Sequence, residues 1–571
     1  MSPDNGGHIL IMAVFMRKRM EINVVIKRTI AAVCAVLCLC GAASCGHDSK
    51  KGDGAGHMYG AALLGNPQSL DPQFASDPSS ATVIKNMYSG LLMKNGSGSI
   101  VCCNAADYIV SGDGCVYTFK LREDNYWFFD ENENDKIDED EYFPVTAQDY
   151  AYALRRVLDP DMHSPYAKDF MCIKNSGYIA ERSGTVNALG IEATDDFTLV
   201  ITLEAPCAEF LGLMTTPAAF PCNEDFFIST KGRYGLDDRS VMSNGAFFVR
   251  QWFYDPYGSN NILYMRKNNI NENDSYKVLP SFLSFSIQDT EADVKQSFKA
   301  EEAECFTTMK VSGYNPKKYD ITGQKAVTLG LIFNPQDKMY SNPDLRKAVA
   351  LAADRNALRD ASASDISPAY GIIPPAVELL GRSYRDLVSD KQFDVCDTQQ
   401  AAELLAKAKA DLKVSSVESV KIIVDSSTVD SRYIHMLSQS WQDSLGIYIG
   451  IEDLTSAEFE KRLSEGNYSI ALYPLKADLN SGLAVFNEFE TVDCLKNAAD
   501  GLECAANIIS CPSASELVNC YTAQERVLLE QYSFIPLFYK SSYLVADKDN
   551  EDIIYDAFTG SVDYRLAKNY S

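Results

Sequence analysis

Apolar positions along this chain change period repeatedly, and each change marks an element. VYTFKL (116–121) and FTLVITLEAP (197–206) alternate or run apolar with β-branched and aromatic residues, which predicts strands. VKIIVD (420–425) and SIALYPL (469–475) read the same way. Helical spacing takes over in TAQDYAYALRRVLDP, where Thr146-x-x-Asp149 is a capping-box start and Pro160 the stop. PDLRKAVALAADRNAL (343–358) and TQQAAELLAKAKADL (398–412) predict two further helices. No internal repeat or low-complexity tract follows residue 58, which disfavours solenoids and propellers. Alternation of strand and helix predicts α/β lobes with mixed sheets.

Length sets the number of lobes. Single cores stop growing at roughly 250–300 residues, so 571 residues predict two or three. A hydrophobic share of 46 %, with 31 Tyr and 27 Phe, supplies real cores. The 78 acidic and 52 basic residues leave a formal charge of −26, which repels phosphate backbones and argues against a nucleic-acid partner.

The N-terminal pattern adds a destination. Lys27 and Arg28 precede the apolar run TIAAVCAVLCLCGAA, which ends in small residues before Cys45, as in a secretion signal. The run is too short for a spanning helix, which needs roughly 20 apolar residues. Ala42-Ala43-Ser44-Cys45 resembles the lipobox of bacterial lipoproteins, with Ala42 in place of the usual Leu; the resemblance implies that Cys45 is acylated. Residues 1–44 are thus expected to be a signal peptide, with an upstream start-site extension before Met16 or Met20, and 45–58 a flexible tether. An uncleaved membrane anchor is the alternative.

Three of the 16 cysteines leave with that signal, and Cys45 carries lipid. Twelve remain at long, irregular spacings, which favours scattered disulfides over a metal cluster and leaves the pairing open.

The order of segments resembles the extracellular solute-binding protein family 5, the peptide receptors of bacterial ABC importers. The resemblance rests on NPQSLDPQ (66–73), IKNMYSGLL (84–92), VYTFKLRED with Trp127, PVTAQDYAYALRRVLDP (144–160) and EATDDFTLVITLEAPCAEFL (192–211). It continues through SNGAFFVRQW (243–252), NPDLRKAVALAADRNAL, LSQSWQDSLGIYIGIED (437–453) and FIPLFY (534–539). It implies a type II periplasmic-binding-protein-like α/β fold of the large three-lobed cluster, with mixed sheets and a hinge between two main lobes. The expected spans are 59–80, 190–275 and 535–571 for the first lobe, 81–189 for a distal lobe and 276–534 for the second main lobe. Within these fragments Arg155 and Arg156 read as a solvated helix face, Asn244-Gly245 as a turn, and Asp354-Arg355 as a local ion pair.

In peptide-binding members an aspartate of a W-x-x-A-D-Y-like segment meets the ligand's α-ammonium. The matching stretch is YPLKADLNSG, which puts Asp478 at that position, with Lys476 a candidate for the ligand's carboxylate and Asn480 beside them. Leu475 and Leu479 depart from the family's Trp and Tyr, and Leu472 stands where some members carry Arg. The implied function is a lipid-anchored receptor, expected to be monomeric, that captures oligopeptides and hands them to an ABC permease. Relatives on the same scaffold bind nickel complexes, haem or oligosaccharides, and a sensor without transport is a further alternative.

DENENDKIDEDE (130–141) holds nine charged residues in twelve. It matches a calcium-loop template with Asp130, Asn132, Asn134, Ile137 and Glu141 at positions one, three, five, eight and twelve. Lys136 would offer its carbonyl at seven and Asp138 an oxygen at nine, while Asp135 takes the glycine position. A structural Ca2+ and a solvated acidic loop both fit. No cofactor is otherwise implied. Of five histidines only His163 and His435 lie in the body, and no zinc-protease, nucleophile-elbow or Walker motif occurs, which leaves hydrolysis a remote alternative.

Overall fold

The computed structural model describes residues 56–571 apart from 96–97, 135–136, 259, 272–277, 356–365, 380, 389–395, 497–507, 509 and 570–571. The signal-peptide span, Cys45, Asp135, Lys136 and Cys504 lie outside the described residues.

Three sheets organise the chain. A four-stranded sheet runs in the order Met58–Leu64, Phe282–Gln288, Ile262–Lys267, Phe247–Phe253, with its first pair parallel. A second, wholly antiparallel, runs Ala105–Val110, Val116–Leu121, Thr198–Thr202, Ile191–Asp195. The third has seven strands, centred on the long antiparallel pair Tyr319–Phe333 and Phe534–Asp547 and extended by Ile470–Leu475, Val420–Asp425 and Ile449–Leu454. The two parallel contacts in that sheet join strands separated by helices, as crossover connections require.

Sheet membership differs from the expected spans at three places. Strands Ile191–Asp195 and Thr198–Thr202 extend the distal sheet, because the alternating face of FTLVIT pairs with VYTFKL. Phe282–Gln288 completes the first sheet rather than the second, and Phe534–Asp547 belongs to the seven-stranded sheet. Nor is the end of the expected tether loose. His57 Nε2 lies 2.8 Å from Glu304 Oε1, and the first strand opens at Met58.

Local signals gave the helices their ends. Thr146 and Asp149 form the capping box that starts Ala147–Leu158, and Asp159 closes it ahead of Pro160. Asn342 caps Pro343–Leu351 with proline at the first position, and Asp397 caps Thr398–Leu412.

Arg156 departs from its expected solvated face. It is 3 % exposed and paired with Asp71 at 2.5 Å; it also donates to Gln73 Oε1 at 2.8 Å and stacks 4.1 Å over the Phe227 ring. The apolar stripe on that helix is real, but segments 71–74 and 222–234 cover the opposite face as well. Asn244 is structural, though more than a turn residue: fully buried, it bonds both backbone groups of Ser89. Arg355 donates to the carbonyls of Ala350, Ala353 and Pro536, tying a helix end to the central sheet.

Candidate functional site

A cleft of about 1460 Å3 opens where the seven-stranded sheet faces the helix Pro78–Met87 and the C-terminal hairpin. That exceeds the roughly 300–1,000 Å3 of a drug-sized pocket and leaves room for an extended ligand. Tyr319, Gln324, Ser541 and Tyr543 line its floor from the two long strands, and Lys85, Asn480, Asp556 and Asp563 stand along its sides.

The strand Ile470–Leu475 ends in the turn that carries Lys476, Asp478 and Asn480. Ser481 then starts the helix Gly482–Thr491; its hydroxyl accepts from Ala484 N–H and donates to Glu209 at 2.7 Å. Asn480 Oδ1 accepts the Glu378 N–H at 3.1 Å, tying the turn to the short strand Glu378–Leu379 at the cleft's edge.

Of this turn Asn480 lines the cleft, while Lys476 and Asp478 lie beside it, and charges alternate there. Burial pushes the Asp478 carboxyl above its ordinary value, Lys476 pulls it back and Asp556 adds to the rise. Burial lowers Lys476, which Asp478 and Asp556 partly restore. Lys85 is lowered by burial and by Arg565, against the pull of Asp563 and Asp556. Asp563 resists the upward push of its own burial because Arg565 pairs with it at 2.5 Å.

Behind Asp478 acids predominate, with Lys168 the cation beside Asp169. Asp169, on the turn Ala167–Phe170, is pushed up to about 7 chiefly by burial; Asn487 donates to it at 2.8 Å, while Glu209 and Asp478 raise it further. Glu488 also reaches about 7, from burial, Asp478 and Asp169. Glu209 is raised by burial against donations from Tyr521 and Ser481. A buried carboxylate set of this kind favours a cationic group at Asp478, since an opposite charge relieves both the desolvation and the like-charge terms.

The structure therefore brings Asp478, Lys476 and Asn480 to one turn. Lys476 sits as a partner of Asp478 and Asp556, rather than alone opposite them. Sequence reasoning missed Asp169, Glu488, Asp556 and Lys85. Glu488 follows Asp478 by ten residues on the next helix, but the others arrive from distant segments with no motif of their own.

The acidic loop lies apart from these residues. Strands Tyr126–Phe128 and Tyr142–Pro144 pair in antiparallel register, so 130–141 connects a hairpin instead of two helices. Asn132 and Asn134 side chains both reach Asp138 Oδ2, at 2.9 and 2.6 Å, and Glu141 accepts from the N–H groups of Asn132 and Asp138. The Asp130 side chain is 6 % exposed, and among the described residues neither of its oxygens has a hydrogen-bond partner; Arg250 Nε stands 4.0 Å away. Among the described residues no group of three or more His, Cys, Asp or Glu gathers as a metal site.

Comparison with known proteins places this geometry in context. The model of "Bacterial extracellular solute-binding proteins, family 5 Middle" matches residues 101–493. The periplasmic oligopeptide-binding protein OppA of Escherichia coli is 23 % identical over 491 residues, 83 % of this chain and 85 % of its own length. A probable deoxycholate-binding periplasmic protein of the same bacterium, YgiS, is also 23 % identical, over 83 % of this chain and 86 % of its own. Among solved structures, Listeria monocytogenes OppA bound to peptide superimposes with a TM-score of 0.69 at 21 % identity, covering 90 % of this chain and 99 % of that one. Such a likeness supports the type II periplasmic-binding-protein fold with mixed α/β sheets.

Proposed function

Because the chain belongs to the bacterial extracellular solute-binding proteins of family 5, whose members bind solutes and are not enzymes, we propose that it captures oligopeptides for an ABC importer. The observation that supports the peptide reading is the set of buried acids Asp169 and Glu488 around Asp478, the residue that by resemblance to a family motif would meet a peptide's α-ammonium. An α-ammonium entering there neutralises a carboxylate that burial and like charge disfavour. The rest of a peptide is held through main-chain hydrogen bonds, which read direction and length more than side chains. Closure of the lobes around the ligand then excludes water and presents one shape to the permease.

A bile-acid-type ligand is the second reading, favoured by the equally similar deoxycholate-binding relative. Deoxycholate carries no ammonium, so it would leave the acids behind Asp478 unrelieved. Mass spectrometry of small molecules released on denaturing the purified protein separates the two: peptides with free amino termini support the proposal, and a steroid acid replaces it.

Two extensions belong to the same reading. Export and acylation at Cys45 would tether the receptor beside its permease; no helix among the described residues is long and apolar enough to cross a membrane. The loop 130–141 would take a structural Ca2+, with Asp130 and Glu141 drawn onto the ion and Asn132, Asn134 and Asp138 completing an oxygen shell. The buried oxygens of Asp130, which accept no hydrogen bond among the described residues and have Arg250 at 4.0 Å, support this. Calorimetric titration of Ca2+ should give heat that disappears in Glu141→Ala; equal, negligible heats in both proteins end the calcium reading.

A further inference from the structure

Four cysteines from separate segments meet on the face behind the Asp478 turn. Cys511 and Cys520 are nine positions apart, and their sulfur atoms stand 2.6 Å from one another. That is well inside the roughly 3.5–4 Å at which unbonded heavy atoms pack. Cys520 lies on the helix Ala514–Glu530 and Cys511 just before it. The second pair comes together through the backbone. Glu204 N–H donates to the Cys172 carbonyl at 2.9 Å and Ile173 bridges Leu203, which sets the segment carrying the buried Cys207 beside the buried Cys172; Cys207 is the chief neighbour that holds the Cys172 thiol above its ordinary range. The Ala208 N–H donates to the Cys511 carbonyl at 3.0 Å, so the two pairs share one patch.

Two of the other buried thiols have different company: Cys222 accepts from Arg156 at 3.2 Å, and Cys305 meets the Tyr564 hydroxyl at 3.1 Å. A thiolate metal cluster does not account for the patch, since no three such ligands gather among the described residues.

We propose that the exported protein carries two disulfides, Cys511–Cys520 and Cys172–Cys207, which brace the scaffold under the ligand turn. Cys520 precedes Tyr521, whose hydroxyl accepts the Gly482 N–H at 3.0 Å and donates to Glu209; Cys207 is two residues from that same Glu209. The cross-links thus fix both supports of the segment running from Asp478 into the helix Gly482–Thr491. Each bond forms by exchange with the disulfide of a thiol–disulfide oxidoreductase, or with oxidised glutathione in vitro. Two protein thiols lose two electrons and two protons, one S–S bond forms, and the oxidant's S–S bond opens to two thiols. The neighbouring Cys207 and burial hold the Cys172 thiol up, and burial does the same for Cys511, which leaves little reactive thiolate at either in the folded state, so oxidation accompanies folding.

Peptide mapping under non-reducing conditions tests the pairing on full-length protein refolded with reduced and oxidised glutathione. The expected result is one peptide pair joined through Cys511 and Cys520 and another through Cys172 and Cys207, with Cys222 and Cys305 alkylated as thiols. Reductant should lower the Tm by several degrees, and the quadruple Cys→Ser variant should start at the lower Tm and lose its response to reductant. Thiols at all four positions after oxidative refolding overturn the proposal, and so does Cys504 bonded to any of them. None of these readings depends on which ligand the cleft holds.

Discussion

Around Asp478, burial and the neighbouring carboxylates act in the same direction, and that gives the residue its pH signature. Asp169 and Glu488 titrate near 7 in the folded protein, against ordinary values of 3.8 and 4.5. The native state therefore binds more protons than the unfolded chain between about pH 5 and 7, and this part of stability is lost as pH rises through 7. Ligand-free protein should melt a few degrees higher at pH 5.5 than at pH 8, while peptide affinity should fall over the same acidification as the anionic field behind the ammonium is neutralised. Asp169→Asn with Glu488→Gln should flatten both trends in calorimetry; unchanged slopes would remove these two acids from the account. Asp478 was singled out in the sequence because it stands in a strand-to-loop segment resembling a family motif, and the structure puts that segment at the end of the strand Ile470–Leu475. Most of its acidic neighbours were not, because tertiary folding alone brings residues 169 and 556 near it.

At the scale of elements, periodicity and caps are local physics and were read correctly: the Thr146 capping box and the strands Val116–Leu121 and Val420–Asp425 stand where the pattern puts them. The same periodicity misplaced Arg156, since a stripe reports one buried face and cannot report that a second segment covers the other. Two substitutions on this helix should separate the effects. Thr146→Ala removes a cap and should cost about 1 kcal/mol. Arg156→Ala leaves Asp71 buried without its partner, and should cost about 3–5 kcal/mol in denaturant unfolding. Equal losses for the two would show that the Arg156–Asp71 pair is not held as the structure has it. Lobe edges were misplaced for a related reason: a strand's pattern gives its face but not its sheet, so Phe282–Gln288 and Phe534–Asp547 found partners far along the chain.

Over the whole molecule, the cleft between the seven-stranded sheet, the helix Pro78–Met87 and the C-terminal hairpin is the site we propose for the solute, and the Lys85, Asp556 and Asp563 along it would suit a zwitterion. A hinged receptor should become more compact when filled, which small-angle scattering reads as a smaller radius of gyration with peptide than without. No change on saturation would mean a rigid cleft. The most direct test of the account compares one peptide with a free amino terminus and the same peptide N-acetylated, titrated calorimetrically into wild-type protein and Asp478→Asn. Loss of one partner of a buried charge pair costs about 2–5 kcal/mol, roughly 30-fold to several-thousand-fold in Kd. The prediction is a loss in that range on acetylation of the peptide with the wild type, and little further loss on acetylation once Asp478 is Asn. Equal affinity of both peptides for the wild-type protein would contradict it.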